Sequence, residues 1–226
     1  MTDEALDNPV WGSLKTCHAS FAVMRRHAGR YPPEVAPFAA VDARDANAAE
    51  QLGQIVGAGE SVYLVGVAPD LGAGWLVHYE TTAAQMVCRS PVPVVDGPEV
   101  IVMAEPNCAD MVALTALVYP GFFRPRTAEM GEYRGIYVGD VLAAMSGERM
   151  RPDGYQEISG VCTHPDFVGR GYAQRLVAQL TNACLDRGVT PFLHVNHENT
   201  RAIKVYERIG YQHRKAIALL HVTRRE

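Results

Sequence analysis

Three observations predict an α/β (α+β) fold in which a mixed, mostly antiparallel sheet is flanked by helices. Between Glu132 and Thr163 three strand-like runs follow one another through short turns at Gly139-Asp140 and Arg151-Pro152-Asp153-Gly154, as antiparallel neighbours do. A glycine loop, Val168-Gly169-Arg170-Gly171-Tyr172-Ala173, then opens a run whose apolar residues Ala173, Leu176, Val177, Leu180, Ala183 and Cys184 recur at helical spacing. Beyond it lie a strand from Thr190 to Val195, a helix capped at Asn199 and stopped at Gly210, and a closing strand or hairpin from Tyr211 to Thr223. Successive antiparallel strands before the glycine loop separate this plan from a dinucleotide fold, where strands and helices alternate.

The first half is patterned more weakly. Leu14, Cys17, Phe21 and Met24 form an apolar stripe that predicts a docked helix from Trp11 to His27, with His18 and His27 off the stripe and solvated. A second helix is expected from Asp45 to Gly53, and strands at Ser61 to Val67, Trp75 to Tyr79 and Thr82 to Cys88. Three prolines and a glycine between Arg89 and Pro98 place a boundary there, dividing the chain into 1–98 and 99–226. A short strand, Glu99 to Met103, and a helix, Cys108 to Val118, open the second unit. The aromatic stretch Phe122-Phe123-Arg124-Pro125-Arg126 after them either lines a pocket or packs against the sheet.

Composition narrows the function classes. The chain has 226 residues, a net charge of −4, 48% hydrophobic and 20% charged residues, which suits a globular enzyme. Without a Lys/Arg block, extended nucleic-acid contact is not expected. No apolar run approaches the roughly 18 residues that span a bilayer, and the acidic opening MTDEALDNP is unlike a signal peptide, so a cytoplasmic protein is expected. Cys17, Cys88, Cys108, Cys162 and Cys184 are odd in number, widely spaced and lack a C-x-x-C pair, which argues against a disulfide framework or a zinc site. Most are expected to be small buried residues. His164, His194 and His197 match no metal-ligand spacing, and no metal is expected.

Backbone N–H groups at a helix start lack intrahelical partners and sit at the positive end of the helix dipole, so the glycine loop suits a pyrophosphate. Val168 to Ala173, between a strand and a helix, resembles the R/Q-x-x-G-x-G/A acetyl-CoA signature of the GNAT superfamily of N-acetyltransferases. The run from Asn199 through Ala202, Tyr206 and Glu207 to Gly210-Tyr211 is similar to that superfamily's N-x-x-A-x-x-x-Y-E-x-x-G-F/Y motif. The resemblance spans Glu99 to Glu226 and departs at Val168, where the family usually has Gln or Arg.

The resemblance implies acetyl-CoA as cosubstrate, lying between diverging strands that end at Val161 to Thr163 and at Pro191 to Val195. Backbone groups of Val161 and Thr163 would pair with the pantetheine, a backbone N–H near Val161 or Cys162 would meet the thioester oxygen, and Gly169, Arg170, Gly171, Tyr172 and Ala173 would receive the pyrophosphate. Asn199 and Tyr206 would face the pantetheine and its sulfur, with Tyr206 as general acid. Glu157, eleven residues before Val168, holds the register of the strand glutamate used as base by histone-type members. Strand alternation would put it on one face with Ser159, Val161 and Thr163, and partial burial would raise its pKa. A covalent role for Cys162 lacks an adjacent base motif. The resemblance implies acetyl transfer to an unidentified amine by a monomer or homodimer, the 1–98 region supplying sheet packing as a candidate degenerate copy of the fold. A nonenzymatic acyl-CoA-binding sensor or scaffold is the alternative.

Overall fold

The computed structural model describes residues 3–42 and 46–226, with Ala46 described in its backbone alone. The chain runs α1 (Pro9–Lys15), β1 (Val23–Met24), β2 (Ala28–Arg30), β3 (Phe38–Val41), α2 (Ala46–Gly53), β4 (Ser61–Val65), β5 (Trp75–Val87), β6 (Ile101–Val102), α3 (Cys108–Val118), β7 (Tyr133–Val138), β8 (Val141–Glu148), β9 (Tyr155–Thr163), α4 (Tyr172–Asp186), β10 (Thr190–Asn196), α5 (Thr200–Arg208) and β11 (Gln212–Arg224). All these strands join one sheet in the order β1-β2-β3-β4-β11-β5-β10-β9-β8-β7-β6. The pairs β3–β4 and β9–β10 are parallel and the others antiparallel.

Alternating side chains give the sheet two apolar faces, and helices cover both. On one face Val10 and Leu14 of α1 pack with Phe38, Ala83, Phe192 and Ile217, and Met111 and Leu114 of α3 pack with Met145 and Cys162. On the other, Val177 and Leu180 of α4 and Tyr206 of α5 meet Met86, Leu193 and Val195, while Ala48 and Leu52 of α2 meet Leu64, Leu220 and Val222. Strand β5 pairs with both β10 and β11, so the 1–98 region supplies a central strand to the sheet built by the 99–226 region.

The helix expected over Trp11 to His27 ends at Lys15. Ser13 Oγ and Thr16 Oγ1 donate to the carbonyls of Pro9 and Gly12 at 2.6 and 2.7 Å, the local hydroxyl bonding that competes with helix continuation. The chain then turns inward, and His18, expected in solvent, is buried with Nδ1 2.9 Å from the Tyr31 hydroxyl and Nε2 3.1 Å from the Met130 carbonyl. Burial lowers its pKa to about 4. Cys17, placed on the stripe, is exposed; Cys88, Cys162 and Cys184 are buried. The runs expected at Trp75 to Tyr79 and Thr82 to Cys88 are one strand, because β11 pairs with β5 along its whole length. Asp45, the expected start of α2, lies outside the described residues.

Candidate active site

The glycine loop forms the N-terminus of α4. Gly169 and Gly171 have φ of +87° and +77°, and nothing lies within 4 Å of a Cβ built on either. Among the described residues no backbone N–H from Gly169 to Gln174 donates to a protein acceptor; the first such bond of the helix start is Arg175 N to Gly171 O at 3.0 Å. Val168 is 46% exposed, so the non-family residue packs against nothing essential. The Arg170 guanidinium stacks 4.9 Å over Phe167 and donates to the Asp166 carbonyl, which leaves the anion-binding capacity of the loop mainly in its backbone. Tyr172 packs with Ile136, Ala144 and Leu176.

Strands β9 and β10 pair only from Tyr155↔Thr190 to Glu157↔Phe192, then separate: β9 continues to Thr163 beside β8, and β10 to Asn196 beside β5. A bulge sits in β9 at this opening. Its register with β8 jumps from Ser159↔Gly147 to Cys162↔Met145, so Gly160 and Val161 share one residue opposite them, and Gly160 takes φ of +60°. The bulge inverts the alternation. Ser159 and Cys162 lie on one face, and Val161 packs instead beside Ile158 towards α4 and α5. The shared face expected for Glu157, Ser159, Val161 and Thr163 is corrected accordingly.

Tyr206 projects from α5 into the same apolar group as Val161 and is 9% exposed. Its phenol pKa is pushed up to about 12 by burial and by neighbouring Cys162, so it keeps its proton at neutral pH, and among the described residues its hydroxyl has no hydrogen-bond partner. The Cys162 thiol is likewise pushed up to about 12, unlike an activated nucleophile. Asn199 caps α5, its Oδ1 accepting from Ala202 N at 3.0 Å.

Glu157 differs most from expectation. It is fully buried, and its two oxygens accept from Arg149 Nε and Nη2, both at 2.8 Å, and from His194 Nδ1 at 2.8 Å. Burial alone would raise its pKa, but the Arg149 guanidinium and His194 override burial and hold the carboxyl well below the usual carboxylate range. The predicted upward shift is therefore reversed. From His194 the polar chain continues across the sheet: its Nε2 lies 3.0 Å from Gln85 Nε2, which also donates to the Leu6 carbonyl, while Gln85 Oε1 accepts from Arg214 at 2.7 Å. These partners fix the Gln85 amide, so His194 Nε2 is the acceptor and Nδ1 carries the hydrogen given to Glu157. Arg214 in turn binds Asp7 at 2.7 Å.

Sequence reasoning missed Arg149, Gln85 and Arg214, which reach Glu157 and His194 from different elements. An isolated arginine just after a strand carries no periodic signal. The one available hint was Gln85, a polar residue on an otherwise apolar strand half.

Residues 133–219 match the family model described as FR47-like protein. An acetyltransferase of Yersinia enterocolitica is 32% identical over 96 residues, which is 42% of this chain and 64% of that protein, just under two thirds of its length. A crystal structure assigned as an acetyltransferase of the GNAT family, from Novosphingobium aromaticivorans, superposes with a TM-score of 0.89 at 33% identity, covering 99% of this chain and 100% of that one. A GCN5-related N-acetyltransferase from Kribbella flavida shares the fold, with a TM-score of 0.63 at 17% identity over 94% of this chain and 95% of that one. The open mixed sheet, with its central parallel strands parting beside a glycine-opened helix, matches the fold of these acetyltransferases. The chain belongs to the GNAT family of acetyltransferases.

Proposed function

We propose that this protein moves acetyl from acetyl-CoA to an amine acceptor by direct attack in a ternary complex. The observation that carries this reading is the row of backbone N–H groups from Gly169 to Gln174, unused by protein acceptors and aimed from the start of α4 beside the β9–β10 opening. Such donors fit a pyrophosphate without needing particular side chains, and the open space at Gly169 and Gly171 admits it closely.

Acetyl-CoA supplies an activated acyl group: a C–N bond forms, the C–S bond breaks, the amine loses one proton and the departing thiolate gains one. Val161 and Thr163 offer strand backbone to the donor, with Cys162 between them. Tyr206, protonated and unpartnered, donates to the thiolate. Glu157 would have to give up Arg149 and His194 to accept a proton itself. We therefore assign it to holding those two side chains in place, with water taking the amine proton. Residues 99–226 carry the donor site and residues 1–98 contribute β5 and part of the acceptor side. No helix among the described residues is long and apolar enough to cross a membrane, and a cytoplasmic setting is our reading.

The ion-paired Glu157, ionised and already engaged by Arg149 and His194, favours the second reading, a nonenzymatic acyl-CoA-binding sensor. Calorimetric binding of acetyl-CoA, run beside thiol release with an amine panel, separates the two. Transfer predicts binding and acceptor-dependent release; binding without release for any amine supports the sensor.

A further inference from the structure

A stack of aromatic rings crosses the face of the sheet that also carries Glu157. Tyr119, at the end of α3, lies 4.8 Å from Phe122 with 9° between the ring planes; Phe122 lies 4.5 Å from Tyr63 of β4; Tyr63 lies 4.5 Å from His221 of β11; and His221 lies 4.6 Å from His78 of β5. Pro120-Gly121 turns the chain so that Tyr119 and Phe122 stack on each other. Tyr119 is 53% exposed, so this wall opens to solvent at its α3 end.

The stack joins the charge cluster directly. Phe38 lies 6.1 Å from both Tyr63 and Phe122, and the Arg149 guanidinium that holds Glu157 sits 4.7 Å over the Phe38 ring. Burial raises the Tyr119 phenol pKa, with smaller opposing contributions from the Arg149 and Glu157 charges. Beside them Tyr133 is 2% exposed, burial raises its phenol pKa with smaller contributions from the same two charges, and among the described residues its buried hydroxyl has no hydrogen-bond partner. A buried phenol without a partner is costly unless a ligand completes it.

We propose that this wall binds the acceptor, and that the acceptor is a primary amine carried on a flat aromatic body. The inference rests on the transfer reading above and names its substrate class. Tyr119 and Phe122, 9° from parallel, and Tyr63 and His221, 14° from parallel, spend electron-rich faces on one another and turn positive edges outward, which favours another ring and disfavours a bare cation. The nearby guanidinium of Arg149, and Arg124 with its Nε buried and unpartnered among the described residues, add to the disfavour. The Tyr133 hydroxyl lies beside Gly160 at the β9 bulge, and the amine of an aromatic body held by Tyr119 and Phe122 would pair with it there.

The test uses the full chain with CoA and compares calorimetric binding of N-acetyl-2-phenylethylamine and N-acetyl-2-cyclohexylethylamine, beside acetylation of the two parent amines. The phenyl compound should bind more tightly by about threefold to tenfold, the range of one aromatic pair. Tyr119→Leu should bring that ratio towards one and Tyr119→Phe should restore it. Equal affinities, or a preference untouched by Tyr119→Leu, overturn the proposal. Selective binding of the phenyl compound with no acetylation of either amine would uphold the aromatic site and sink the transfer reading instead.

Discussion

The two ends of the site are built on opposite principles. At the proposed donor end, the loop before α4 is exposed and presents backbone N–H groups that no described protein acceptor uses, with the Val168 and Arg170 side chains outside any network that the fold depends on. At the proposed acceptor end, Glu157 is sealed in the sheet and bound to side chains from β10 and the β8–β9 turn, and through His194 to β5 and β11. A backbone site tolerates changes of side chain. A buried charge network does not, because removing one partner strands the other charge in a medium that solvates it poorly. A donor site of the proposed kind can therefore vary in sequence, whereas the Glu157 network ties β5 to β9 and β10 through buried side chains.

The largest predicted effect breaks this contrast at its sharpest point. Arg149→Met should destabilise the fold by about 3–5 kcal/mol in urea unfolding, since Glu157 is left buried without its guanidinium. Arg170→Ala at the donor end should stay within about 0.5 kcal/mol; similar costs for the two would erase the distinction.

Next comes a pH effect on the packed side. His18 titrates near 4 in the fold against 6.5 unfolded, so the unfolded chain binds the proton more readily. Its contribution is complete above pH 6.5 and is lost as pH falls towards 4, on the order of 3 kcal/mol across that window. Urea midpoints should fall over that range in the parent and fall less in His18→Gln. Identical profiles would contradict the burial argument. The smallest effect is expected from Val168→Gln, which restores the family's usual residue: acetyl-CoA affinity should change by less than about threefold, below 1 kcal/mol. A larger gain would show that the backbone alone is insufficient.

The sequence made the donor end legible and the acceptor end only partly so, for physical reasons. Gly169, Gly171, Asn199 and Gly210 act locally, at the start or stop of a helix, and local chemistry survives in the order of residues. Cys108–Val118 and the hairpin at Gly139-Asp140 fell where periodicity and turn chemistry put them. Glu157 was found by register, but its charge state depends on Arg149 and His194, which only the sheet brings together. The bulge at Gly160 moved Val161 and Thr163 off the expected face, because one extra residue reverses every later side chain. The stripe from Leu14 to Met24 misled for a similar reason. Helical spacing was present, yet local hydroxyl bonds and the burial of His18 decided the conformation.

Central to the proposed transfer is a protonated, buried Tyr206 that would serve the departing thiolate rather than the binding of its carrier. Steady-state turnover and calorimetric acetyl-CoA affinity of Tyr206→Phe, measured on the same preparation, test this most directly. Turnover should fall by about 100-fold or more with affinity within about threefold of the parent. Unchanged turnover would contradict it.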